Sequence, residues 1–239
     1  MKFNTKTLLL LSIFIVLGCQ KQEYKTNIIP IHELFKNPKS IALKLSPSGD
    51  KIALLKSWHN RLNIFVKDIN TNKEIQITKE KDVNIERFFW VSETKILYLV
   101  DKFGNDNHAL ICVSLDGTHQ KELTNSKEST TYVINVLPEF EDEIIIQTNE
   151  RDQTLFDVYR LNLLSGERKI IGQNPGNVTQ WLTDNNGKLR VAVKSDGVSN
   201  VILYRKSEND KFREVKKINF TDHFYPVLFS KNNKDIYVL

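Results

Sequence analysis

A zinc cluster, a disulfide framework and a hydrolase nucleophile are all missing from this chain of 239 residues. Only two cysteines occur, Cys19 and Cys112, too few for a Cys-based metal site. The five histidines, His32, His59, His108, His119 and His223, show neither an H-x-x-x-H nor an H-E-x-x-H spacing. Neither a metal nor a cofactor is expected. None of the nine glycines opens a G-x-S-x-G, the elbow that presents the serine of an α/β-hydrolase. Strand patterns do not alternate with long helical ones, which excludes a hydrolase sheet. Basic residues outnumber acidic ones 34 to 29 but are scattered, without a Lys/Arg block interleaved with aromatics, so nucleic acid is excluded as a partner. A membrane-spanning helix needs ~20 apolar residues. The run Leu8 to Gly18 has 11.

What the chain does have is one unit used repeatedly. In Leu43 to Leu55, LKLSPSGDKIALL, Leu43 and Leu45 alternate with Lys44 and Ser46, the period of a half-buried strand. Pro47 and Gly49 take the second and fourth positions of a type I turn, and Ile52 to Leu55 reads as the returning strand. Adding 46 to Leu45 and Ser46 gives Val91 and Ser92, then Leu137 and Pro138, Thr183 and Asp184, Phe229 and Ser230. Each pair closes an apolar strand and precedes another. Third strands follow at Ile64 to Val66, Leu110 to Cys112, Val158 to Arg160 (after a two-residue insertion) and Ile202 to Tyr204. Fourth strands follow the next turns, as at Ile75 to Thr78 and Lys121 to Thr124. Four strands per 46-residue repeat specify an all-β fold, a β-propeller. The blades are residues 41–78, 85–124, 131–172 and 177–218, with half of a fifth at 224–239, an incomplete ring within a propeller of residues 41–239. Trp90 and Trp181 end first strands at equivalent depth and are expected in the packing between blades. Cys112 falls inside a strand and is expected to be buried.

The start of the chain is of another kind. Lys2 and Lys6, the apolar stretch Leu8 to Leu17 and the small Gly18 form a secretory signal over residues 1–18. The residues Val16-Leu17-Gly18-Cys19 resemble the lipobox of bacterial lipoproteins, which implies acylation of the Cys19 thiol and attachment to a membrane of the bacterial cell envelope. Residues 19–26 are then a tether, and Cys112 is left with no intramolecular disulfide partner. Without Lys2 and Lys6 the mature charge is +3. With 40% of its residues hydrophobic and 26% charged, the chain can bury a sizeable core. The lead-in 27–40 reads as a strand at Ile28 to Ile31 and a helical turn ended by Pro38.

Several longer strings carry a family resemblance. Phe35 to Pro38 followed by LSPSGDKIALL, NRLNIFV at Asn60 to Val66, DVYRLNLLSGE at Asp157 to Glu167 and NPGNVTQWLTDNNGKLRV at Asn174 to Val191 are similar to the N-terminal propeller of the prolyl oligopeptidase family of serine peptidases, in its acylaminoacyl-peptidase and dipeptidyl-peptidase-like branch. The similarity covers Ile28 to Leu239. It implies an α/β-hydrolase domain in the same polypeptide, with the serine followed by Asp and His, and short peptides as substrates of the complete enzyme. With no G-x-S-x-G present, no catalytic residue is assigned to this chain. Leu239 falls four periods after Leu55, in mid-blade, which fits a fragment; the rival is a five-blade ring closed by Ile28 to Ile31.

One positional expectation concerns binding. Blade strands alternate in direction, so the connections between second and third strands emerge on one face together with the links between blades. That rim collects Trp58, His59, Asn60 and Arg61, then Asp101 to His108, then Glu150, Arg151 and Asp152, then Lys194 to Asp196. Trp58, His59, Arg61, Glu150, Arg151 and Asp152 are the candidate contacts to a catalytic domain or a peptide substrate. The alternative function is a free-standing envelope propeller that binds a protein or a glycan.

Overall fold

The computed structural model describes residues 29–125, 127–140, 142–219, 221–222 and 224–239. The signal, the tether with Cys19, Ile28 and His223 lie outside the described residues. Two units are distinguished, residues 1–36 and 37–239. In the first, one helical turn, α1 (Ile31–Leu34), follows Pro30. The strand expected through Ile31 is not formed there. Pro30, at φ −58°, lacks the N–H a ladder needs and has the φ of a helix start.

The second unit is the expected succession of antiparallel sheets. The first blade comprises β1 (Ser40–Leu45), β2 (Lys51–Trp58), β3 (Arg61–Asp68) and β4 (Glu74–Gln76), paired in that order. The second comprises β5 (Arg87–Trp90), β6 (Lys95–Asp101), β7 (His108–Ser114) and β8 (Gln120–Glu122). In the third are β9 (Thr131–Asn135), β10 (Glu143–Asp152), β11 (Leu155–Asn162) and β12 (Arg168–Gly172). The fourth holds β13 (Val178–Thr183), β14 (Leu189–Ser195), β15 (Ser199–Tyr204) and β16 (Arg213–Asn219). A hairpin of β17 (Pro226–Phe229) and β18 (Ile236–Val238) is the fifth.

Between-blade packing explains the apolar pattern. Four clusters of buried side chains join consecutive blades: the first around Leu55, Ile64, Tyr98 and Ile111, the next around Leu97, Leu110, Ile144 and Ile146. A third centres on Ile145, Trp181 and Leu189, and the last on Val191, Ile202 and Phe229. Full burial of each such side chain contributes roughly 1.5–3 kcal/mol, so the second and third strands, which hold most of the buried apolar side chains, carry most of the stabilisation. Trp90 and Trp181 lie in these clusters, 8% and 7% exposed, and Cys112 is buried with its thiol pKa pushed up by that burial.

The period is also visible in hydrogen bonds. The Trp90 indole N–H donates to the Lys44 carbonyl at 3.0 Å and the Gln180 amide to the Pro226 carbonyl at 2.7 Å, both 46 residues apart. The Ile64 N–H donates to Thr78 Oγ1 at 2.9 Å, and the Leu110 N–H to Thr124 Oγ1 at 3.0 Å, the same bond one period later. The type I turn is present, with the Gly49 N–H donating to the Ser46 carbonyl at 3.0 Å. That first turn closes from Ser46 to Lys51, whereas the second repeat closes from Val91 to Lys95, one residue shorter. The structural counterpart of Leu45 is therefore Trp90 rather than Val91. Leu45 pairs with Ile52 as Trp90 pairs with Ile96.

That correspondence exposes a difference between blades. Leu43 and Leu45 are 64% and 61% exposed, while Phe88 and Trp90, on the matching side of the second blade, are covered by the first. No strand pairing closes the series among the described residues.

Gly187 is one position where only glycine fits. Its φ is +70°, and a Cβ there would stand 2.5 Å from Leu137 Cδ2. Gly187→Ala is expected to cost about 1–2 kcal/mol in urea unfolding, from the left-handed backbone and the contact with Leu137 together.

Candidate functional site: the rim of second-to-third strand connections

The rim is built as alternation requires, since in the first three blades the connection is hydrogen-bonded to the link leaving its own blade. Arg61 Nε donates to the Asp82 carbonyl at 2.9 Å, Asn105 Nδ2 to that of Lys127 at 3.2 Å, and an Arg151 Nη to that of Asn174 at 3.0 Å. His59 and Asn60, at φ 47° and 61°, form a two-residue turn of type I′ geometry between the paired Trp58 and Arg61. The Trp58 and His59 rings meet edge to face with centroids 4.3 Å apart.

The charged candidates are already occupied. Glu150 accepts from Arg168 at 2.6 Å. Arg151 forms a bidentate pair with Asp157, at 2.5 and 2.9 Å, and the Asp157 carboxylate raises the guanidinium pKa. Asp152 accepts from the Thr154 N–H and hydroxyl at 2.9 and 2.7 Å, and these bonds lower its carboxyl pKa. The structure thus gathers Arg151 and Asp152 at the same corner of the third blade, with Trp58, His59 and Arg61 on the first. Between Asn125, Lys127, Glu128 and Ser129 of one link and Glu150 and Gln153 lies a cleft of about 350 Å³.

Residues the sequence did not single out hold the rim in place. Asn63 and Asp157, both fully buried, occupy matching positions in the third strands of the first and third blades. Asn63 Oδ1 accepts from the Glu80 N–H and Asp157 Oδ1 from the Asn174 N–H, each at 2.7 Å, so each pins the link that leaves its blade. A polar residue inside an otherwise apolar strand, as in RLNIFV and LFDVYR, is the visible signal. His108 ties two links together: Nε2 is 2.7 Å from Glu86 Oε2, and Nδ1 is 3.0 Å from Thr130 Oγ1. This carboxylate–imidazole–hydroxyl array is a strut, because Thr130 is buried and its Oγ1 already accepts the His108 N–H.

Two further loops are closed on themselves. Asp101 accepts from the N–H groups of Phe103, Gly104 and Asp106, which hold its carboxyl pKa down against burial. Asp184, 2% exposed, accepts from the Asn186 and Lys188 N–H groups and pairs with Arg190 at 3.1 Å. Its carboxylate is committed to the turn from Asp184 to Gly187, which the Gly187 N–H closes on the Asp184 carbonyl at 3.0 Å. Among the described residues no group of three His, Cys, Asp or Glu is placed to hold a metal, and no helix is long and apolar enough to cross a membrane.

No family model matches the chain. It is 27% identical over 201 residues to dipeptidyl aminopeptidase BIII of Pseudoxanthomonas mexicana, covering 82% of this chain and 29% of that protein. It is 22% identical over 229 residues to dipeptidyl peptidase family member 6 of Caenorhabditis elegans, covering 88% and 31%. A solved structure from a study of two prolyl endopeptidases superposes with a TM-score of 0.57 at 12% identity, over 77% of this chain and 30% of that one. The chain spans about three-tenths of the curated relatives it matches. Its homologues are peptidases of the prolyl oligopeptidase kind, and the part they share with it is a propeller.

Proposed function

We propose, from this kinship, that the chain is the non-catalytic propeller portion of a secreted serine peptidase, lipid-anchored through Cys19 to a membrane of the bacterial cell envelope. In this reading an α/β-hydrolase domain in the same polypeptide cleaves short peptides and the propeller limits access to it. The observation that carries the reading is the 27% identity to a dipeptidyl aminopeptidase across 82% of the chain. The uncovered side of the first blade, at Leu43 and Leu45, supports it, because in every later blade that side packs on a neighbour. The rim around Trp58, His59, Arg61, Glu150, Arg151 and Asp152 is the surface proposed to face the catalytic domain and the peptide. With its ion pairs closed internally, it presents a fixed shape to that partner rather than free charges.

A serine-directed fluorophosphonate probe tests the catalytic part. A cellular product carrying this sequence should label, while the 239-residue chain alone should not; labelling of neither overturns the peptidase reading. Cys19→Ser should abolish incorporation of labelled palmitate, and continued incorporation refutes the anchor.

A further inference from the structure

The outermost strand of the fourth blade differs from its counterparts. In the first three blades that place is held by β4, β8 and β12, of three, three and five residues, whereas β16 runs for seven. Short outer strands leave little edge for another chain to pair with, and β16 leaves more. It pairs with β15 from Asn219, opposite Ser199, to Arg213, opposite Tyr204, and has no strand on its other side. Among the described residues no backbone group of another segment bonds to the backbone of Arg213 to Ile218. Arg213 to Lys217 are all exposed. The N–H and C=O groups that β16 turns away from β15 are therefore an open edge.

The side chains give that edge a sign. Residues 177–218 hold nine lysines and arginines against five acids, while residues 131–172 hold four against eight, so the fourth blade is cationic where the third is anionic. Three of the nine cations stand on β16. The ladder slips by one residue at Val215, which leaves Arg213, opposite Tyr204, and Lys216, opposite Ile202, on one face. There Arg213 lies 6.0 Å from the centre of the Tyr204 ring and Lys216 Nζ 4.4 Å from that of Phe224. Glu214, opposite Leu203, and Lys217, opposite Val201, belong to the other face. Glu214 is the one acid of the strand. Among the described residues neither it nor any other carboxylate comes within 4 Å of the Arg213, Lys216 or Lys217 charge.

We propose that β16 is a docking edge for an extended acidic segment of another protein, which adds to the fourth blade as a further outer strand. Main-chain bonds to the open edge supply affinity, and acidic side chains at alternate positions of the guest meet Arg213 and Lys216. A second copy of this chain does not suit the edge, because two β16 strands side by side bring like charges together. The cations that repel a copy select an acidic strand.

The test is fluorescence anisotropy of a labelled, end-capped heptapeptide of alternating Glu and Val, titrated with the 239-residue chain at fixed ionic strength. Saturable binding is expected with a Kd at or below about 100 μM. Two further peptides, N-methylated at every Glu or at every Val, separate strand addition from charge attraction alone. At least one of them should bind about tenfold more weakly, because it has lost the N–H groups that face β16. The Lys216→Glu/Lys217→Glu double variant should also bind about tenfold more weakly or worse, and should melt within a few degrees of the parent because both side chains are exposed. Vesicles of phosphatidylglycerol form a separate arm for a membrane as the anionic partner. No saturable peptide binding, whether or not the vesicles bind, overturns the proposal. So does equal affinity for the three peptides, or undiminished binding by the double variant.

Discussion

Arg205→Met is expected to cost about 3–5 kcal/mol of folding stability, among the largest losses available to a single substitution in this chain. Arg205 is 7% exposed and follows β15 at the junction of the third and fourth blades. Its guanidinium donates to three backbone carbonyls, Leu189 at 2.7 Å, Ile171 at 2.8 Å and Glu208 at 3.2 Å. It also lies over the Phe212 ring, 4.5 Å from its centre. Burial lowers its pKa while Glu208 and Asp210 raise it, and an arginine remains charged under these influences. Methionine leaves those three carbonyls without their donor in a place that water does not reach freely. Arg205→Lys should recover little, because an ammonium on a linear stem does not span three carbonyls arranged for a planar fork. Urea unfolding measures both variants, and a loss below about 1 kcal/mol for Arg205→Met would show that the three bonds are dispensable.

Tyr98 supports the junction of the first and second blades. Its ring is fully buried among Leu55, Ile64, Phe88 and Ile111, and its hydroxyl donates to Glu80 Oε1 at 2.9 Å. Burial, and after it the Glu80 carboxylate, raise the phenol pKa, so the hydroxyl remains a donor across the working pH range. Tyr98→Ala removes the ring from a close-packed interface and should cost about 3–5 kcal/mol. Tyr98→Phe keeps the volume and should cost about 1 kcal/mol, the net worth of the hydrogen bond. Equal losses would mean that the hydroxyl, not the packing, holds the two blades together.

These two residues mark where sequence reading succeeds and where it stops. Tyr98 stands in ILYLV, a strand apolar on both faces, and the 46-residue period alone places it in a second strand between blades. Trp90 and Trp181 are legible for the same reason, being large apolar residues at recurring depth. Arg205 is not legible. Its partners Ile171, Leu189 and Glu208 lie on different strands and turns, and no local pattern states that three carbonyls converge on one guanidinium. The rim shows the same limit. Period and alternation place Glu150, Arg151 and Asp152 on a second-to-third connection, but the pairings of Glu150 with Arg168 and of Arg151 with Asp157 run across strands. Turn length is a third case. The period aligns Ser46 with Ser92, and that SPSGDK of the first repeat answers to VSETK of the second, one residue shorter, shows only when the closing bonds from Ser46 and Val91 are compared.

The central claim is that this propeller works as part of a larger serine peptidase. Its most direct test is the intact mass of the cellular polypeptide captured with an antibody against blades one to four. The account predicts a product well above 27.8 kDa whose peptides include a G-x-S-x-G segment. A captured product of 27.8 kDa or less, apart from lipid, would contradict it and favour a free-standing envelope propeller.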